Sequence, residues 1–325
     1  MWLSEIMLQQ TQVATVLEYY ARFLERFPTV AHLAAAQPDD VLALWSGLGY
    51  YSRARNMHRC AQQVTALHEG KFPATAALLQ TLPGIGPSTA AAIASFCFAE
   101  RVAILDGNVK RVLTRVFAFS GDLAESTRER QLWGLASSLL PDHDLAESMP
   151  RYTQGLMDLG ATLCTLRKPK CPSCPVQSLC QGYALGEPEK YPVRTRKLKR
   201  SAQKLGLLWA RRPDGSVWLE RRPASGIWGG LYCLPVFESH DAITSFLPPR
   251  LHQRMAALAP VKHVLTHKDL YLHPVLVGFS ATQRMPLKTG GDVQPETPGA
   301  WFGVHEWPAL GLPAPIRKLL EGEPA

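Results

Sequence analysis

The sequence has no long apolar run, no recognisable targeting segment and no even set of cysteines. No stretch approaches the roughly 18 consecutive apolar residues that a membrane-spanning helix needs, so we expect no membrane contact. The start, MWLSEIMLQQ, has no cationic segment before its apolar residues, which argues against a secretory signal. There are seven cysteines, three of them scattered singly. These absences favour a cytoplasmic protein without a disulfide framework.

The composition indicates a folded chain of two domains. At 325 residues the chain can hold two cores, and 46% of its residues are hydrophobic. Residues 1–185 have helical periodicity, whereas residues 204–325 contain strand-like runs such as SVWLERR and LYLHPVLVGFS. Between them, 186–203 is rich in proline, lysine and arginine and is interpreted as a linker. The sequence therefore predicts a mainly α N-terminal domain and an α+β C-terminal domain.

The helical half is predicted to begin with one long helix. Its apolar face is marked, at a spacing of about 3.6 residues, by Leu3, Ile6, Met7, Val13, Ala14, Leu17 and Leu24. Gln10 falls within this stripe, where a buried amide would need a hydrogen-bond partner or a function. Further helices are predicted at about 38–46, 52–68, 87–99, 108–119, 126–140 and 152–163.

Four cysteines lie close together in the stretch CTLRKPKCPSCPVQSLC. They are Cys164, Cys171, Cys174 and Cys180, in the spacing C-x6-C-x2-C-x5-C. Thiolates are soft ligands, and four of them suit either a tetrahedral zinc ion or a four-iron cluster. Zinc modules more often use two tight pairs separated by a dozen or more residues, so the compact spacing favours an iron–sulfur cluster. Zinc and uncoordinated thiols stay open as alternatives. Basic residues inside the loop would offset the charge of a thiolate-bound group.

Two carboxylates stand in stretches that could carry chemistry. Glu5 lies near the start of the first helix with Gln9 one turn later, and its simpler interpretation is a solvated charge stabilised by the helix dipole. Asp106, in ILDGNVKRV, is typical of a helix N-cap. The stretch LPGIGPSTA at 82–90 has two glycines that permit a tight turn and a proline suited to the first turn of a helix. Its backbone N–H groups could hold a phosphate, or the stretch could be an ordinary helix–helix turn.

Aromatic and basic residues occur together in GLGYYSRARN at 47–56. This pattern suits base stacking beside a phosphate track, and the formal net charge of +8 is compatible with a polyanionic partner. Adjacent tyrosines are as often part of a core, and many basic proteins bind no nucleic acid. Taken alone, the stretch leaves both interpretations open.

Several stretches, in their order along the chain, resemble the MutY family of adenine DNA glycosylases, within the helix–hairpin–helix superfamily that includes endonuclease III. They are MLQQTQV at 7–13, GLGYYSRARN, LPGIGPSTA, ILDGNVKRV, LGATLCT at 159–165, the four-cysteine loop and RRPASGIWGGLYCLPVF at 221–237. The resemblance implies two helical lobes, one with a [4Fe–4S] cluster held by the four cysteines, and a Nudix-like C-terminal domain. It implies a monomeric, nucleoid-associated enzyme that removes adenine mispaired with 8-oxoguanine or guanine from double-stranded DNA, in base-excision repair.

The resemblance also assigns catalytic roles. Glu5 would protonate the flipped adenine, Asp106 would stabilise the oxocarbenium ion, and Asn108 would help to position these groups. Endonuclease III-type enzymes have a nucleophilic lysine at the position of Ser88, so the resemblance implies a monofunctional glycosylase here.

The implied DNA-contacting residues are Gln9, Gln10, Tyr50, Leu82, Gly84, Gly86, Ser88, Gln154, Thr266 and His267. Among them, Gln154 would read the edge of the flipped adenine. Gln10 and Tyr50 would insert beside the vacated space and the oxidised guanine, which would give the glutamine in the apolar stripe its function.

The chain departs from the family at three places, the first of which is Ser88, where many family members have tyrosine. The family's Phe-Ser-His loop, which reads the oxidised base, is Leu265-Thr266-His267 here. Family members usually carry a further segment before the Trp-Leu-Ser-Glu helix, so we expect Glu5 to lie in a first helical turn whose dipole favours its ionised form. A non-catalytic or impaired mismatch-binding protein is therefore the alternative function. A Nudix-type hydrolase is disfavoured, because 229–252 lacks the G-x5-E-x7-R-E-x2-E-E signature.

Overall fold

The computed structural model describes residues 1–195, 200–286 and 299–322. By their contacts, these residues form two compact units. The first combines Met1–Val16 with Arg59–Lys197, and the second combines Leu17–His58 with Leu198–Ala325, within the described limits. None of the described helices is long and apolar enough to cross a membrane. Four residues of the predicted linker, 196–199, lie outside the described residues.

The contacts between residues divide the chain at different positions from those that the amino-acid composition indicates. The domain limits of 1–185 and 204–325 follow composition and stay a prediction, whereas contacts assign residues 17–58 to the second unit. Within that unit the Leu312 carbonyl accepts hydrogen bonds from Ser46 Oγ at 2.8 Å and from Tyr51 Oη at 3.1 Å. These partners are 266 and 261 positions apart, a separation over which composition carries no information.

Helices dominate the described residues before 185. They are α1 (Trp2–Leu8), α2 (Val13–Arg26), α3 (Val30–Ala35), α4 (Pro38–Leu44), α5 (Ser52–His68), α6 (Ala76–Leu79), α7 (Pro87–Phe98), α8 (Gly107–Val116), α9 (Ser126–Ser138), α10 (Leu145–Asp158) and α11 (Gln181–Ala184). A π-helical turn at Leu159–Leu163 continues α10. Further along the chain come α12 (His240–Phe246) and α13 (Ala314–Glu321).

The prediction of one long first helix is wrong, because two helices stand in its place. α1 ends at Leu8, Gln10 adopts a left-handed φ of 58°, and α2 begins at Val13. The break shifts the apolar positions out of register, so Val13 and Leu17 are 62% and 63% exposed while Met7 is fully buried. Gln10 is exposed, so the prediction of a buried amide is wrong as well. The spacing of apolar residues does not reveal a single residue whose backbone is left-handed.

The other helix predictions differ from the structure mainly at helix ends. The helices predicted at 52–68 and 87–99 are Ser52–His68 and Pro87–Phe98. The helix predicted to begin at 152 begins instead at Leu145 and contains Pro150. Proline usually marks a helix start or break, so its presence in the helix interior is not expected from the sequence. The short helices α3 and α6 were not predicted.

The core of the first unit supports the segment that carries Asp106. The run Ala103–Leu105 is buried and packs with Ala91, Ala92, Val109, Leu113 and Leu132. Asp106 follows this run directly and is the N-cap of α8. The position of its backbone is therefore fixed by burial of the residues before it and by the helix after it.

The strand-like runs form a mixed sheet in the second unit. Its strands are β1 (Ser201–Arg211), β2 (Val217–Arg221), β3 (Tyr232–Cys233), β4 (Val236–Phe237), β5 (Met255–Ala257), β6 (Val261–Val264), β7 (Lys268–Gly278) and β8 (Ala300–Phe302). The main order is β3-β2-β1-β7-β5, and β1 pairs in parallel with β7 along its whole length. β6 pairs antiparallel with β7, which places residues 265–267 in the turn between them. The predicted fold class, mainly α followed by α+β, is confirmed.

Candidate functional site

Glu5 is half-buried in the first turn of α1. Burial, the larger cause, and the nearby negative charge of Asp106 together raise the pKa of Glu5 to about 7, against a lowering by the positive amino terminus. The helix dipole favours the ionised form at this position, and burial acts in the opposite direction by raising the pKa of Glu5. At neutral pH a large fraction of Glu5 holds the proton that a general acid must donate.

Asp106 is the N-cap of α8, as the sequence predicts. Its Oδ1 accepts a hydrogen bond of 2.7 Å from the Val109 N–H. The positive end of the helix dipole favours a negative charge at this position. Glu5 and Asp106 thus form a pair of interacting carboxyl groups, one buried with a raised pKa and the other at a helix N-cap. This is the arrangement that hydrolysis of a glycosidic bond uses.

The start of α7 is tied to both carboxylate-bearing segments. Ser88 Oγ accepts a hydrogen bond of 3.1 Å from the Leu105 N–H, one residue before the α8 N-cap. Gln9 Nε2 donates to Thr89 Oγ1 at 3.2 Å, just beyond the end of α1. These two bonds fix α1, α7 and the α8 N-terminus against one another inside the first unit.

The stretch LPGIGPSTA forms a tight turn that leads into α7. Gly84 has a left-handed φ of 78°, and Gly86 is the extended N-cap before Pro87. The Leu82 side chain is only 2% exposed, and its carbonyl accepts from the Ile85 N–H at 3.2 Å. Leu82 therefore serves the core, and the exposed glycine backbone is the part of the turn that is open to a phosphate.

Asn108 is linked to the cysteine loop by Arg111, a residue that sequence reasoning missed. Arg111 Nη2 donates to Asn108 Oδ1 at 2.8 Å and to the Gly160 carbonyl at 2.7 Å, and its Nε donates to the Cys164 carbonyl at 2.6 Å. A side chain at position 160 would come within 2.7 Å of Asn108 Cβ, which explains the glycine there. In the sequence, a Lys-Arg pair inside a helix is typical of a solvated face.

The predicted metal ligands meet around one cavity. Its lining includes Cys164, Cys171, Cys174, Cys180, Val112, Leu159, Leu163 and Val176. Burial raises the pKa of the Cys171 thiol, and the three neighbouring thiols raise it further. Among the described residues, no three His, Cys, Asp or Glu side chains are arranged to hold a single metal ion. Four thiols that line one cavity are the type of ligand set that a thiolate-bound metal site uses.

Arg115 holds the cysteine loop from the buried side. It is 1% exposed, its Nη1 lies 3.4 Å from Cys164 Sγ, and the guanidinium donates to the Thr165 and Leu166 carbonyls at 2.7 and 2.9 Å. The sequence predicts that the basic residues of the loop offset the charge of the thiolates. The basic residues of the loop are exposed, and the buried cation beside a sulfur is Arg115.

Gln154 lies on α10 with its side chain exposed. Its Nε2 donates to Asp158 Oδ1 at 2.8 Å, on the same helix. Among the described residues, no hydrogen bond joins Gln154 to Glu5 or Asp106. Its implied contact with adenine therefore stays a prediction.

A second set of predicted residues meets in the second unit. Tyr50 Oη and Thr266 Oγ1 lie 2.6 Å apart, within hydrogen-bond distance. Arg200 donates to the Leu265 and Thr266 carbonyls at 2.9 and 3.0 Å and pairs with Asp269, which holds the 265–267 turn in place. Residues 50 and 266 are assigned by resemblance to the same base, and the fold brings their hydroxyl groups together.

Comparisons with known proteins agree with the resemblance. Residues 3–138 match the HhH-GPD superfamily of base excision DNA repair proteins, and residues 206–322 match the NUDIX domain. The adenine DNA glycosylase of Buchnera aphidicola subsp. Acyrthosiphon pisum is 34% identical over 322 residues, covering 98% of this chain and 89% of the relative. The adenine DNA glycosylase of Homo sapiens is 45% identical over 190 residues, covering 58% of this chain and 34% of that protein. A thermostable thymine-DNA glycosylase of known structure has a TM-score of 0.49 and 27% identity, covering 57% of this chain and 83% of the other.

Proposed function

The chain belongs to the MutY family of adenine DNA glycosylases, and on that premise we propose that it excises adenine mispaired with 8-oxoguanine or guanine in double-stranded DNA. As a DNA N-glycosylase of base-excision repair, it breaks the bond between a base and its deoxyribose. The observation that carries the proposal is the half-buried Glu5, whose pKa is raised to about 7 by burial and by the charge of Asp106 at a helix N-terminus. Release of free adenine from mismatched duplexes tests it.

The two carboxyl groups divide the reaction between them. An adenine stacked in a duplex is out of reach, so the base is first flipped out, at a cost of a few kcal/mol. Glu5 donates its proton to a ring nitrogen, and the adenine leaves with the electron pair of the glycosidic bond. The deoxyribose becomes an oxocarbenium ion, which the Asp106 carboxylate stabilises. Water then adds to the sugar, and its proton returns to Glu5.

Ser88 makes this a hydrolytic rather than a lyase reaction. A serine hydroxyl that accepts a hydrogen bond from the Leu105 N–H offers no amine for a Schiff base with the sugar. We expect wild type to leave the abasic strand intact until alkali is added, and Ser88→Lys to nick it. Strand cleavage without alkali and borohydride trapping measure this, with Thr81→Lys as an exposed control on the same hairpin. Efficient trapping of wild type would contradict the assignment.

The four cysteines are proposed to hold a [4Fe–4S] cluster. The cluster, when bound, cross-links the cysteine loop, which has little apolar core of its own. Arg115 and Arg111 fix the cysteine loop to α8, the helix whose N-terminus carries Asp106. The purified protein should be brown, with about four irons and matching sulfide per chain. Stoichiometric zinc without iron would contradict the proposal.

Substitution of Gly182 tests the fit of that loop. A Cβ at this position would lie 2.7 Å from the Arg115 carbonyl, whereas a Cβ at Gly134 on α9 would meet open space. We expect Gly182→Ala to lose most of its iron and Gly134→Ala to keep it. Iron and sulfide content per chain measure the effect. Equal iron in the two variants would mean that this contact does not set the loop geometry.

Recognition of the opposite base is proposed to involve Tyr50, Thr266 and His267. The contact between the first two supports this, and His267 is exposed next to Thr266 in the turn at 265–267. Gln10 is proposed to enter the DNA stack, which its exposed side chain and left-handed backbone support. The rival function is mismatch binding without excision. Binding without adenine release would favour that rival.

A further inference from the structure

Tyr50 has an unusual backbone conformation at the end of a glycine-rich turn. Its φ is 46°, in the left-handed region that residues with a Cβ seldom adopt, and Gly47 and Gly49 before it have φ values of 108° and 71°. The tyrosine side chain is nevertheless 44% exposed. An aromatic residue in this conformation persists only where the surrounding structure holds it.

Arg53 supplies a large part of that support. It follows the turn at the start of α5 and is only 7% exposed. Its backbone N–H donates to the Tyr50 carbonyl at 2.9 Å, and its Nη2 donates to the Leu48 and Gly49 carbonyls at 3.3 Å each. One residue therefore binds the carbonyls of three successive residues in the turn.

The Arg53 guanidinium also lies against two aromatic rings. It is 5.4 Å from the ring centroid of Tyr50 and 5.2 Å from that of Trp45, at cation–π distance. Trp45 is fully buried, and its Nε1 donates to the Gly49 carbonyl at 3.0 Å. Burial lowers the pKa of Arg53 to about 10, so the group still carries its charge at neutral pH. The Tyr50 ring is thus anchored from its buried side.

We propose that Arg53 is a positioning residue that sets selectivity for the base opposite adenine, because it holds Tyr50 where its hydroxyl meets Thr266. The inference rests on the proposed function, in which these two side chains meet the oxidised guanine. In sequence, Arg53 belongs to a basic stretch that suits phosphate contact. Its burial removes it from that role and gives it a structural one instead.

The chemistry requires arginine at this position. A planar guanidinium can stack on a ring and donate to two carbonyls in one plane, whereas an ammonium is a point charge with a strong preference for water. Methionine has a similar length without charge or donors. We therefore expect Arg53→Met to lose the support of the ring and Arg53→Lys to retain part of it.

The first measurement reports the tyrosine position without DNA. Protein labelled with 3-fluorotyrosine gives a ¹⁹F resonance for Tyr50, which Tyr50→Phe identifies by its loss. In Arg53→Met this resonance is expected to broaden or to move toward the value of a solvent-exposed tyrosine. Arg26→Met, which removes an arginine with a 63% exposed side chain in the same unit, should leave it unchanged. Point variants are preferred to deletion of residues 201–325, which would remove the Leu312 carbonyl from Ser46 and Tyr51.

The second measurement is the ratio of single-turnover excision rates for adenine opposite 8-oxoguanine and opposite guanine. Arg53→Met is expected to lower this ratio about tenfold, with Arg53→Lys between it and wild type. In a Tyr50→Ala background, Arg53→Met should change the ratio no further, because its effect passes through the tyrosine. A merely destabilising substitution would lower both rates equally and would do so in either background.

The outcomes separate the inference from the proposed function. An unchanged Tyr50 resonance together with an unchanged ratio in Arg53→Met overturns the inference. The inference is also overturned if Arg53→Met lowers the ratio by the same factor in the Tyr50→Ala background as in wild type. If wild type releases no adenine, the proposed function fails, and the ¹⁹F result still decides whether Arg53 positions Tyr50. Should Arg53→Met fail to fold, Arg53→Lys takes its place, and an unchanged Tyr50 resonance together with an unchanged ratio in that variant overturns the inference.

Discussion

Replacement of Glu5 with glutamine is expected to lower adenine excision by about 10²- to 10⁴-fold, the contribution of a positioned general acid. The amide has nearly the same shape but cannot donate a proton to the leaving base, so duplex binding should stay near that of wild type. Single-turnover excision and equilibrium binding measure the two effects separately. Glu18→Gln, an exposed residue on α2, is the matched control. Near-native excision by Glu5→Gln would show that another group is the acid.

The pH dependence of wild type should carry the signature of this carboxyl. Burial and the Asp106 charge raise the pKa of Glu5 to about 7 from an ordinary value of 4.5. The acid form is the active one, so the excision rate should be level below pH 7 and should fall about tenfold per pH unit well above it. Glu5→Gln should lose this descending limb. A profile without the limb would remove Glu5 from the acid role.

The same pKa has a consequence for stability. Because the folded value lies above the unfolded one, the favourable contribution of the protonated carboxyl is complete below pH 4.5 and is lost as the pH rises through about 7. The difference amounts to about 3 kcal/mol, at roughly 1.4 kcal/mol per pH unit. The Glu5→Gln variant has no carboxyl to ionise and does not lose this stability. It should therefore unfold at a higher Tm than wild type above pH 7, while it excises far more slowly.

Replacement of Asp106 with asparagine is expected to lower excision by about 10²- to 10³-fold, the usual loss when one charge-stabilising group is removed from a transition state. Asparagine caps helices as well as aspartate does, so the bond from the Val109 N–H should survive and the Tm should change little. Asp106→Ala loses charge and cap together and should cost a further ~1 kcal/mol of stability. Full activity in Asp106→Asn would reduce this residue to a helix cap.

The two carboxyl substitutions are coupled. The Asp106 charge is one of the causes that raise the pKa of Glu5, so its removal should shift the descending limb of the pH profile to lower pH. The residual activity of Asp106→Asn provides this measurement. An unchanged limb would mean that the carboxyl groups do not interact.

Local motifs in the sequence predicted the positions of the candidate site residues better than the contacts that support them. Asp106 and the four cysteines stand in short stretches whose spacing carries the information, and the structure places each as expected, at a helix N-cap and around one cavity. The raised pKa of Glu5 could not be predicted in this way, because it depends on burial in the fold and on the charge of Asp106, which is distant in sequence. The helical periodicity around Glu5, taken alone, favours a solvated charge.

Three arginines show why the remaining features could not be predicted. Arg53, Arg111 and Arg115 all stand in helical stretches where a basic residue is typical of a solvated face. Their carbonyl partners lie in the turn at 48–50, in the π-helical turn and in the cysteine loop, and helical periodicity does not indicate these contacts. The left-handed Gln10 was missed for a related reason: one residue ends a helix without a change in hydrophobic pattern.

The most direct test of the whole account is free adenine released in a single turnover from duplexes containing A·8-oxoguanine, A·G or A·T. Wild type is expected to release adenine from the first two, faster opposite 8-oxoguanine, and to leave A·T untouched. The abasic strand should stay intact until alkali is added, and Glu5→Gln should release almost none. Tight binding of the mismatched duplexes by wild type without any free adenine would contradict the account and leave a mismatch-binding protein in its place.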